Sequence, residues 1–193
     1  KELEFSLTGK RLNGRSECEV IALAYRNKGM DCFNYLDGMF SIVIVDQAAG
    51  EVICARDQFG VKPLYYCLSN DSTTVCSEQK GILEFRPETR SLNYDAFADY
   101  QLFQMVPGRE CLNTNTFKVL PGEVVIFSLD TGKLKSRSQY GSSSMRQSPE
   151  SIKEYRELVA ESIQSAVSQT FDVAYPIAFH LSGGLDSNLL VGM

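Results

Sequence analysis

Apolar and polar residues alternate along this chain in patterns that predict a strand-rich first part. Residues 17–28 carry apolar side chains at helical spacing, namely Val20, Ile21, Leu23, Ala24 and Tyr25. Ser16 is the predicted N-cap of this helix, Glu19 would complete a capping box, and Gly29 ends it. A continuous apolar run over residues 39–45 is then typical of a buried strand.

Short turns between the next apolar runs predict hairpins. The run at residues 39–45 is followed by a turn at 46–50 and a returning strand. A second pair of strands surrounds a polar turn at 69–72. A third hairpin is predicted across Pro121-Gly122, with a further turn at 130–132. The predicted strands cover residues 39–45, 51–56, 64–68, 73–77, 117–120 and 123–128, and a short helix is predicted over 94–103.

The composition changes after residue 135. Residues 136–148 contain six serines and one glycine, which is typical of a linker. Ser148-Pro149 then predicts the start of a helix that runs to about residue 171. Its apolar face consists of Ile152, Tyr155, Val159, Ile163, Ala166 and Val167. We therefore divide the chain into residues 1–135, a linker over 136–148, and a second part over 149–193.

The most informative stretch is a glycine-rich turn near the end of the chain, with the sequence Leu-Ser-Gly-Gly-Leu-Asp-Ser at 181–187. The apolar run at 176–180 predicts a strand before it, and residues 188–193 suit a helix after it. Glycines let the backbone approach an anion, and the amides at a helix N-terminus point at its charge. The stretch lacks the Gly-Lys-Ser/Thr of a Walker loop. The competing interpretation is a common turn, Gly-Gly followed by an Asp-Ser helix cap.

Charge and composition narrow the function classes. Apolar residues make up 44% of the chain and charged residues 22%, the net charge is −5, and the pI is about 5.0. These values are ordinary for a soluble globular protein and argue against nucleic acid as a partner. No apolar stretch is long enough to cross a membrane, and no signal peptide is visible. We therefore expect a cytoplasmic protein that binds neither nucleic acid nor membranes.

Cysteine and histidine usage supports no metal site. The six cysteines are scattered without a C-x-x-C pair, and the chain has a single histidine, His180. Cys54, Cys67 and Cys76 lie in apolar strand-like runs, so we expect buried free thiols in a reducing compartment. For His180 an acid–base role stays open, although a packed ring is the commoner case.

A series of motifs in the first part resembles a known family. The chain reads Leu-Asp-Gly-Met-Phe-Ser-Ile-Val-Ile-Val-Asp at 36–46 and Ala-Arg-Asp-Gln-Phe-Gly-Val-Lys-Pro-Leu-Tyr-Tyr at 55–66. Ser-Glu-Gln-Lys-Gly-Ile-Leu follows at 77–83 and Leu-Pro-Gly at 120–122. This series is similar to the glutaminase domain of glutamine-hydrolysing asparagine synthetases, which are class II amidotransferases. In that family the glutaminase precedes a synthetase domain with the Ser-Gly-Gly-Leu-Asp-Ser loop, and the same order occurs here.

The resemblance implies a fold and a reaction. The implied fold class is α+β: an antiparallel, strand-rich αββα part like the N-terminal-nucleophile hydrolases, then the first helix and strand of an α/β nucleotide-binding domain. The implied parent enzyme converts aspartate, glutamine and ATP into asparagine, glutamate, AMP and pyrophosphate. Its cofactors would be ATP and Mg2+, and its partners would be small molecules, namely glutamine and aspartate or another carboxylate. An oligomer is compatible with this family.

The resemblance also implies residues that bind ATP. The implied set is Leu181, Ser182, Gly183, Gly184, Leu185, Asp186 and Ser187. The serines and glycines of this set would surround the pyrophosphate. Asp186 would orient the loop or hold a magnesium-bound water.

One residue is a candidate for glutamine binding. The family carries Ser-Asp-x-Glu at the start of a helix, and its aspartate meets the substrate ammonium. Here the segment is Ser16-Glu17-Cys18-Glu19, so Glu17 stands at that position with a carboxylate one methylene longer. The alternative is that Glu17 is only a favourable charge in a first helical turn, and both interpretations stay open.

The turn that contains Arg56-Asp57 and Lys62-Pro63 matches the family as well. Arg56 and Asp57 are able to pair, and Gly60 permits an unusual backbone angle. We favour a structural role for this turn over direct contact with a substrate.

The nucleophile of the family has no counterpart in this sequence. It is an N-terminal cysteine whose own α-amine is the base, whereas this chain begins with Lys1 and its first cysteine is Cys18. The family's glutamine-clamping arginine, its Asn-Gly oxyanion segment and its downstream magnesium-binding residues are also missing. We therefore expect a fragment that has no catalytic residue and is inactive by itself, from a parent that is an asparagine synthase-type ligase.

Three other interpretations remain open. A β-lactam-synthetase-like ligase shares both parts but lacks the nucleophilic cysteine. An inactive truncated relic would keep the fold signature without the chemistry. A glucosamine-type amidotransferase shares only the first part, and the loop at 181–187 argues against it.

An unfinished nucleotide-binding sheet would expose strand edges, so we predict poor solubility for the isolated 193-residue chain. Size-exclusion chromatography and thermal melting measure this property. Aggregation or a broad transition is expected, whereas a monodisperse protein that melts cooperatively would contradict the prediction.

Overall fold

The computed structural model describes residues 16–69, 72–141, 151–171 and 176–193. The chain divides into two compact units, the first ending at Ser142 and the second beginning at Ser143. The helices are α1 (Glu17–Lys28), α2 (Gln79–Phe85), α3 (Tyr94–Phe103), α4 (Ile152–Phe171) and α5 (Leu185–Gly192). The strands are β1 (Ser41–Asp46), β2 (Glu51–Arg56), β3 (Tyr65–Leu68), β4 (Thr73–Cys76), β5 (Thr116–Lys118), β6 (Glu123–Ser128) and β7 (Leu134–Gln139). Two 3-10 helices cover Gly29–Tyr35 and Pro87–Arg90.

The first unit contains two antiparallel sheets. The first sheet has the strand order β1–β2–β6–β7, and the second has the order β4–β3–β5. The hairpins β1–β2 and β3–β4 confirm two of the predicted strand pairs. The helix predicted over residues 94–103 is also confirmed. Asn93 caps it, because its side-chain oxygen accepts a hydrogen bond from the amide of Ala96 at 3.3 Å.

Alternating residues of β2 supply two separate hydrophobic clusters. Ile53 and Ala55 belong to a cluster with Phe33, in which α1 and the following 3-10 helix cover one face of the first sheet. Cys54 belongs to the cluster on the opposite face, between the two sheets. A strand buried on both faces reads as a continuous apolar run, which is why β2 shows no clean alternation.

Aromatic packing joins the two sheets. Tyr66 of β3 is fully buried, and its ring centroid lies 5.2 Å from that of Phe127 in β6. On the other face of the second sheet, α2 contacts β3 and β4 and buries Ile82 completely. The unit is therefore an α–β–β–α stack, and the predicted α+β class is confirmed. None of the helices in the described ranges is long and apolar enough to span a membrane.

The hairpin predicted across Pro121-Gly122 is wrong. β5 pairs with β3 in the second sheet, whereas β6 pairs with β2 and β7 in the first. Pro121 and Gly122 instead form the corner at which the chain crosses between the sheets. Gly122 has a φ of +67° there, and its amide donates to the carbonyl of Asp57 at 2.9 Å. The hairpin that does form is β6–β7, around the turn predicted at 130–132.

Three smaller predictions are corrected. β1 is an edge strand, so Val43 and Val45 stay 47% and 55% exposed. The helix at 17–28 is confirmed, but the Ser16 hydroxyl makes no capping bond, and the acidic first turn suits the helix dipole instead. The predicted linker over 136–148 is wrong in its first residues, because they belong to β7, an exposed edge strand with the same polar composition. Residues 142–150 lie outside the described residues.

The second unit is described by its two helices and the turn between them. α4 agrees with the predicted helix, although Ser148-Pro149 lies outside the described residues. Its apolar face is exposed, with Tyr155 at 58%. Residues 176–180 do not form the predicted strand. A parallel strand exists only through hydrogen bonds to its neighbours, and both described sheets lie in the first unit.

A buried ion pair fastens the sheet-crossing corner. Glu123 begins β6 and is 3% exposed, and its two carboxylate oxygens accept from the two terminal nitrogens of Arg109 at 2.7 and 2.5 Å. The amide of Leu120 donates to the same carboxylate at 2.8 Å. The bond to Glu123 raises the pKa of Arg109, so the guanidinium stays charged. Well-placed donors on both oxygens offset the cost of burying this carboxylate.

We expect Arg109→Ala to lower the free energy of unfolding by about 3 kcal/mol, because it leaves the Glu123 carboxylate buried without its cation. Urea denaturation followed by circular dichroism measures the change. The control is Lys80→Ala, which removes an exposed ion pair with Glu78 and should cause no measurable change. Equal effects of the two substitutions would contradict the role of the buried pair.

Candidate functional site

The predicted nucleotide loop lies directly before α5. Gly184 is the N-cap of this helix, and Gly183 has a left-handed backbone with a φ of +78°. Residues that have a side chain rarely adopt this backbone conformation, which explains why position 183 of the turn is a glycine. The first-turn amides of the helix point out of its N-terminus. Asp186 lies in this first turn, where the helix dipole favours its carboxylate.

The polar groups of the loop bind one another. The Gly184 amide donates to Ser182 Oγ at 3.3 Å, and Ser182 Oγ lies 3.2 Å from Ser187 Oγ. Ser187 Oγ donates to the carbonyl of Gly184 at 3.1 Å, and Asn188 Nδ2 donates to the same carbonyl at 3.0 Å. This ring of bonds holds both serine hydroxyls side by side at the helix N-terminus.

The ring leaves the loop open to solvent. Residues 181–186 are exposed, and Ser187 is half-buried. Exposed amides and hydroxyls at a helix N-terminus suit an anion such as a phosphate group. That this loop holds ATP stays a prediction. His180 is exposed directly before the loop, so its ring does not pack as expected.

Glu17 belongs to the first unit. It is exposed in the first turn of α1, together with the acidic Glu19. This placement suits the helix dipole and also leaves the carboxylate accessible. Its role in glutamine binding stays a prediction.

The charges of Arg56 and Asp57 do not pair with each other, so the ion pair that the sequence allowed does not form. The Arg56 guanidinium instead donates to three backbone carbonyls, those of Lys62 (2.8 Å), Val119 (2.8 Å) and Gly60 (2.6 Å). Neighbouring side chains at a strand end point to opposite sides, which separates the two charges. These bonds tie the turn to the chain just before the sheet-crossing corner and support its structural role.

Asp57 is the centre of this turn and is 1% exposed. Its carboxylate accepts from three backbone amides, those of Phe59 (3.2 Å), Val61 (2.9 Å) and Lys62 (3.0 Å). Its carbonyl accepts from the amides of Gly60 and Gly122, both at 2.9 Å. Burial disfavours the charged carboxylate, but the amide donors outweigh it, so the pKa of Asp57 is lowered.

A cavity of about 360 Å³, here called the turn cavity, lies against the Asp57 turn. Its lining includes Asn34 and Asp37 on one side and Phe59 and Val61 on the other. Phe59 is 87% exposed at the tip of the rigid turn. Sequence reasoning missed this cavity. The available signal was an apolar Phe59 and Val61 among turn-forming residues.

The thiols are free and mostly buried. Cys32, Cys54, Cys67 and Cys111 are buried, Cys76 is half-buried, and Cys18 is exposed. Burial raises the pKa of Cys54 to about 12. The expectation of buried free thiols is therefore confirmed for Cys54 and Cys67. Within the described ranges, no group of three histidine, cysteine or acidic side chains could hold a metal ion.

Comparison with known proteins gives a family and several relatives. Residues 1–140 match the model of the glutamine amidotransferase domain. The chain is 30% identical over 193 residues to asparagine synthetase (glutamine-hydrolyzing) 1 of Bacillus subtilis. The alignment covers 98% of the chain and 30% of that protein. It is also 29% identical over 189 residues to amidase chry2 of Gibberella zeae. This alignment covers 93% of the chain and 26% of that protein.

A solved structure shows a more distant likeness. It is glutamine phosphoribosylpyrophosphate amidotransferase from B. subtilis, complexed with ADP and GMP. The TM-score is 0.45 at 20% identity, covering 75% of this chain and 27% of that one. The chain spans between 26% and 35% of the length of the first curated relatives that it matches.

We expect Asp57→Asn to lower the free energy of unfolding by about 2 kcal/mol at neutral pH, because asparagine brings donors against amides that need acceptors. The carboxylate's contribution is present above its ordinary pKa of about 3.9 and is lost as the pH falls through its lower folded value. The gap between the two proteins should therefore narrow below about pH 4.

Urea denaturation at a series of pH values measures this gap. Asp37→Asn is the matched control, because Asp37 is an exposed carboxylate beside the same cavity. It should leave the stability at neutral pH nearly unchanged. A gap for Asp57→Asn that stays constant into the acidic range would show that the carboxylate's charge is not what holds the turn.

Proposed function

The chain belongs to the glutamine amidotransferase domain family, and from this premise we propose that it is the N-terminal portion of an ATP-dependent, glutamine-hydrolysing enzyme of the asparagine synthetase type. The intact enzyme would take the amide nitrogen of glutamine and transfer it to a carboxylate, with aspartate as the first candidate. Its partners would be small molecules: glutamine, the acceptor acid and ATP. The free thiols support a reducing compartment such as the cytoplasm.

One observation carries this proposal. The amidotransferase match ends at residue 140, but the similarity to an asparagine synthetase of B. subtilis extends over 98% of the chain. The similarity therefore includes the segment that contains the loop at 181–187. An amidotransferase domain followed by an anion-binding type of loop is the arrangement that an ATP-consuming amide synthesis requires.

The chemistry divides between the two parts of the enzyme. The amidotransferase part would hydrolyse the side-chain amide of glutamine with one water molecule, which releases ammonia and leaves glutamate. In the synthetase part, a carboxylate oxygen of the acid would attack the α-phosphorus of ATP and release pyrophosphate. Ammonia would then attack the activated carbonyl carbon, and AMP would leave as the amide forms. With the water that hydrolyses glutamine counted as a reactant, each step conserves its atoms.

The loop suits the pyrophosphate end of ATP. The Gly183 and Gly184 backbone has no side chain to block a phosphate, and the two serine hydroxyls lie together. On binding, these hydroxyls would exchange their mutual contact for phosphate oxygens. Mg2+ binds phosphates and usually keeps several waters, so a single carboxylate fits it, and Asp186 would hold one of those waters. The dipole of α5 adds to the attraction.

We expect Gly183→Ala, in the longer protein proposed to contain this chain, to slow ATP–pyrophosphate exchange. The exchange is measured with labelled pyrophosphate in the presence of aspartate. A left-handed backbone with a φ of +78° penalises an alanine, and a cost of about 1–2 kcal/mol predicts roughly ten-fold slower exchange. The control is Gly192→Ala at the end of α5, where nothing lies within 4 Å of an added Cβ.

Measuring glutamate and asparagine in the same reactions separates the alternatives. Glutamate release that keeps pace with asparagine formation supports the proposal. Amide formation without glutamate release would favour a β-lactam-synthetase-like ligase. Absence of any exchange in the unmodified protein would contradict the proposal, and equal rates for the two glycine variants would remove the loop from the ATP site.

A further inference from the structure

The end of β7 is fastened to the Asp57 turn. The Tyr140 hydroxyl donates to the carbonyl of Arg56 at 2.6 Å, and the Tyr140 amide donates to the carbonyl of Gly122 at 2.9 Å. The amide of Gly141 donates to Asn34 Oδ1 at 2.8 Å. Residues 139–141, here called the strap, are thus bound by side-chain and backbone hydrogen bonds in a segment whose composition predicted a flexible linker.

Packing reinforces the strap. The Tyr140 ring packs near two aromatic rings, with its centroid 5.8 Å from that of Phe33 and 6.3 Å from that of Phe40. Burial raises the pKa of Tyr140, so its hydroxyl remains a donor at physiological pH. Gly141 has a left-handed backbone with a φ of +75°, and a Cβ there would contact the side-chain amide of Gln58, the residue after Asp57.

Arg56 forms hydrogen bonds with both the strap and the turn. Its carbonyl accepts from Tyr140, and its guanidinium binds the carbonyls of Gly60 and Lys62, which lie on the far side of the turn. A displacement of Tyr140 therefore acts directly on the residue that closes the turn. Through Arg56 the path from the strap to the turn contains one hydrogen bond, that of the Tyr140 hydroxyl. A second path runs from the Tyr140 amide to Gly122 and from the Gly122 amide to Asp57.

Two cavities border this connection. The turn cavity is lined by Asp57, Gln58 and Asn34. A second cavity of about 630 Å³ is lined by the strap itself and again by Asn34. Asn34, which holds the end of the strap, is therefore a wall of both cavities.

We propose that the strap is a coupling device: it transmits displacement of residues 139–141 to the Asp57 turn, and this turn forms part of the wall of the turn cavity. When the strap is seated, the turn is rigid and the cavity keeps its shape. When the strap is released, the turn loosens. The device lies within the first unit and does not depend on the proposed function.

Hydrogen exchange of the full 193-residue chain with Tyr140→Phe, at a protein concentration low enough to prevent aggregation, tests the coupling. The substitution keeps the ring and removes only the hydroxyl that reaches Arg56. The reporters are the amides of Gly60, Val61, Lys62 and Gly122, which all donate to Asp57. We expect these amides to exchange about 3- to 10-fold faster, as loss of one typical hydrogen bond implies. The control is Tyr94→Phe at a tyrosine that is 77% exposed.

The reference amides are those paired between β2 and β6, which should keep their rates. Faster exchange at the turn with unchanged reference amides supports the coupling. Two results would overturn it: turn amides that match the Tyr94→Phe control, or an equal acceleration of the reference amides, which would report global destabilisation.

A second variant covers the case in which Tyr140→Phe does not fold. Asn34 is exposed, so Asn34→Ala removes the acceptor for Gly141 without touching the core. Exchange at Gly141 and Tyr140 should accelerate, and the turn amides should follow by about two-fold. Acceleration that stays confined to the strap would overturn the coupling.

Discussion

The first unit depends on the hydrogen bonds that the buried carboxylate of Asp57 accepts from backbone amides. Three amides of its own turn need acceptors in a place that excludes water, and the carboxylate satisfies all of them. The carbonyl of the same residue receives the amide of Gly122, at the corner where the chain crosses between the sheets. One residue therefore serves both the turn that leads from the first sheet towards β3 and the corner by which the chain returns to the first sheet.

The arrangement around Asp57 explains why a charged turn is structural here. The Arg56 guanidinium donates to backbone carbonyls, and the Asp57 carboxylate accepts from backbone amides. Each charged group therefore takes the place of a backbone hydrogen-bonding partner, and the two charges do not pair with each other. Bonds to charged groups are stronger than neutral ones and hold a turn that has no regular ladder. The exposed Phe59 is presented on this rigid base, which distinguishes it from an apolar residue on a mobile loop.

Local features of the fold were predictable from sequence, and long-range ones were not. α1, α3 and two hairpins depend on residues close together in the chain, so periodicity and turn residues suffice. The corner at Pro121-Gly122 depends on which strand each neighbour pairs with, and an apolar run carries no such information. Tyr140 was hidden for a similar reason, since its partners Arg56 and Phe33 are distant in sequence. The loop at 181–187 was recognisable because its residues are contiguous, whereas the strand expected before it requires neighbours that no local pattern supplies.

The burial of most thiols makes cysteine labelling a test of whether the first unit is folded. Of the six cysteines, only Cys18 is exposed, and it lies next to Glu17 in the first turn of α1. A maleimide dye added under native conditions should therefore label that position first, since thiolate formation at buried cysteines is suppressed. The number of dye molecules bound per chain then reports how many of the remaining cysteines have become accessible. A fluorophore or spin label placed this way also sits beside the glutamine-binding candidate without any engineered cysteine.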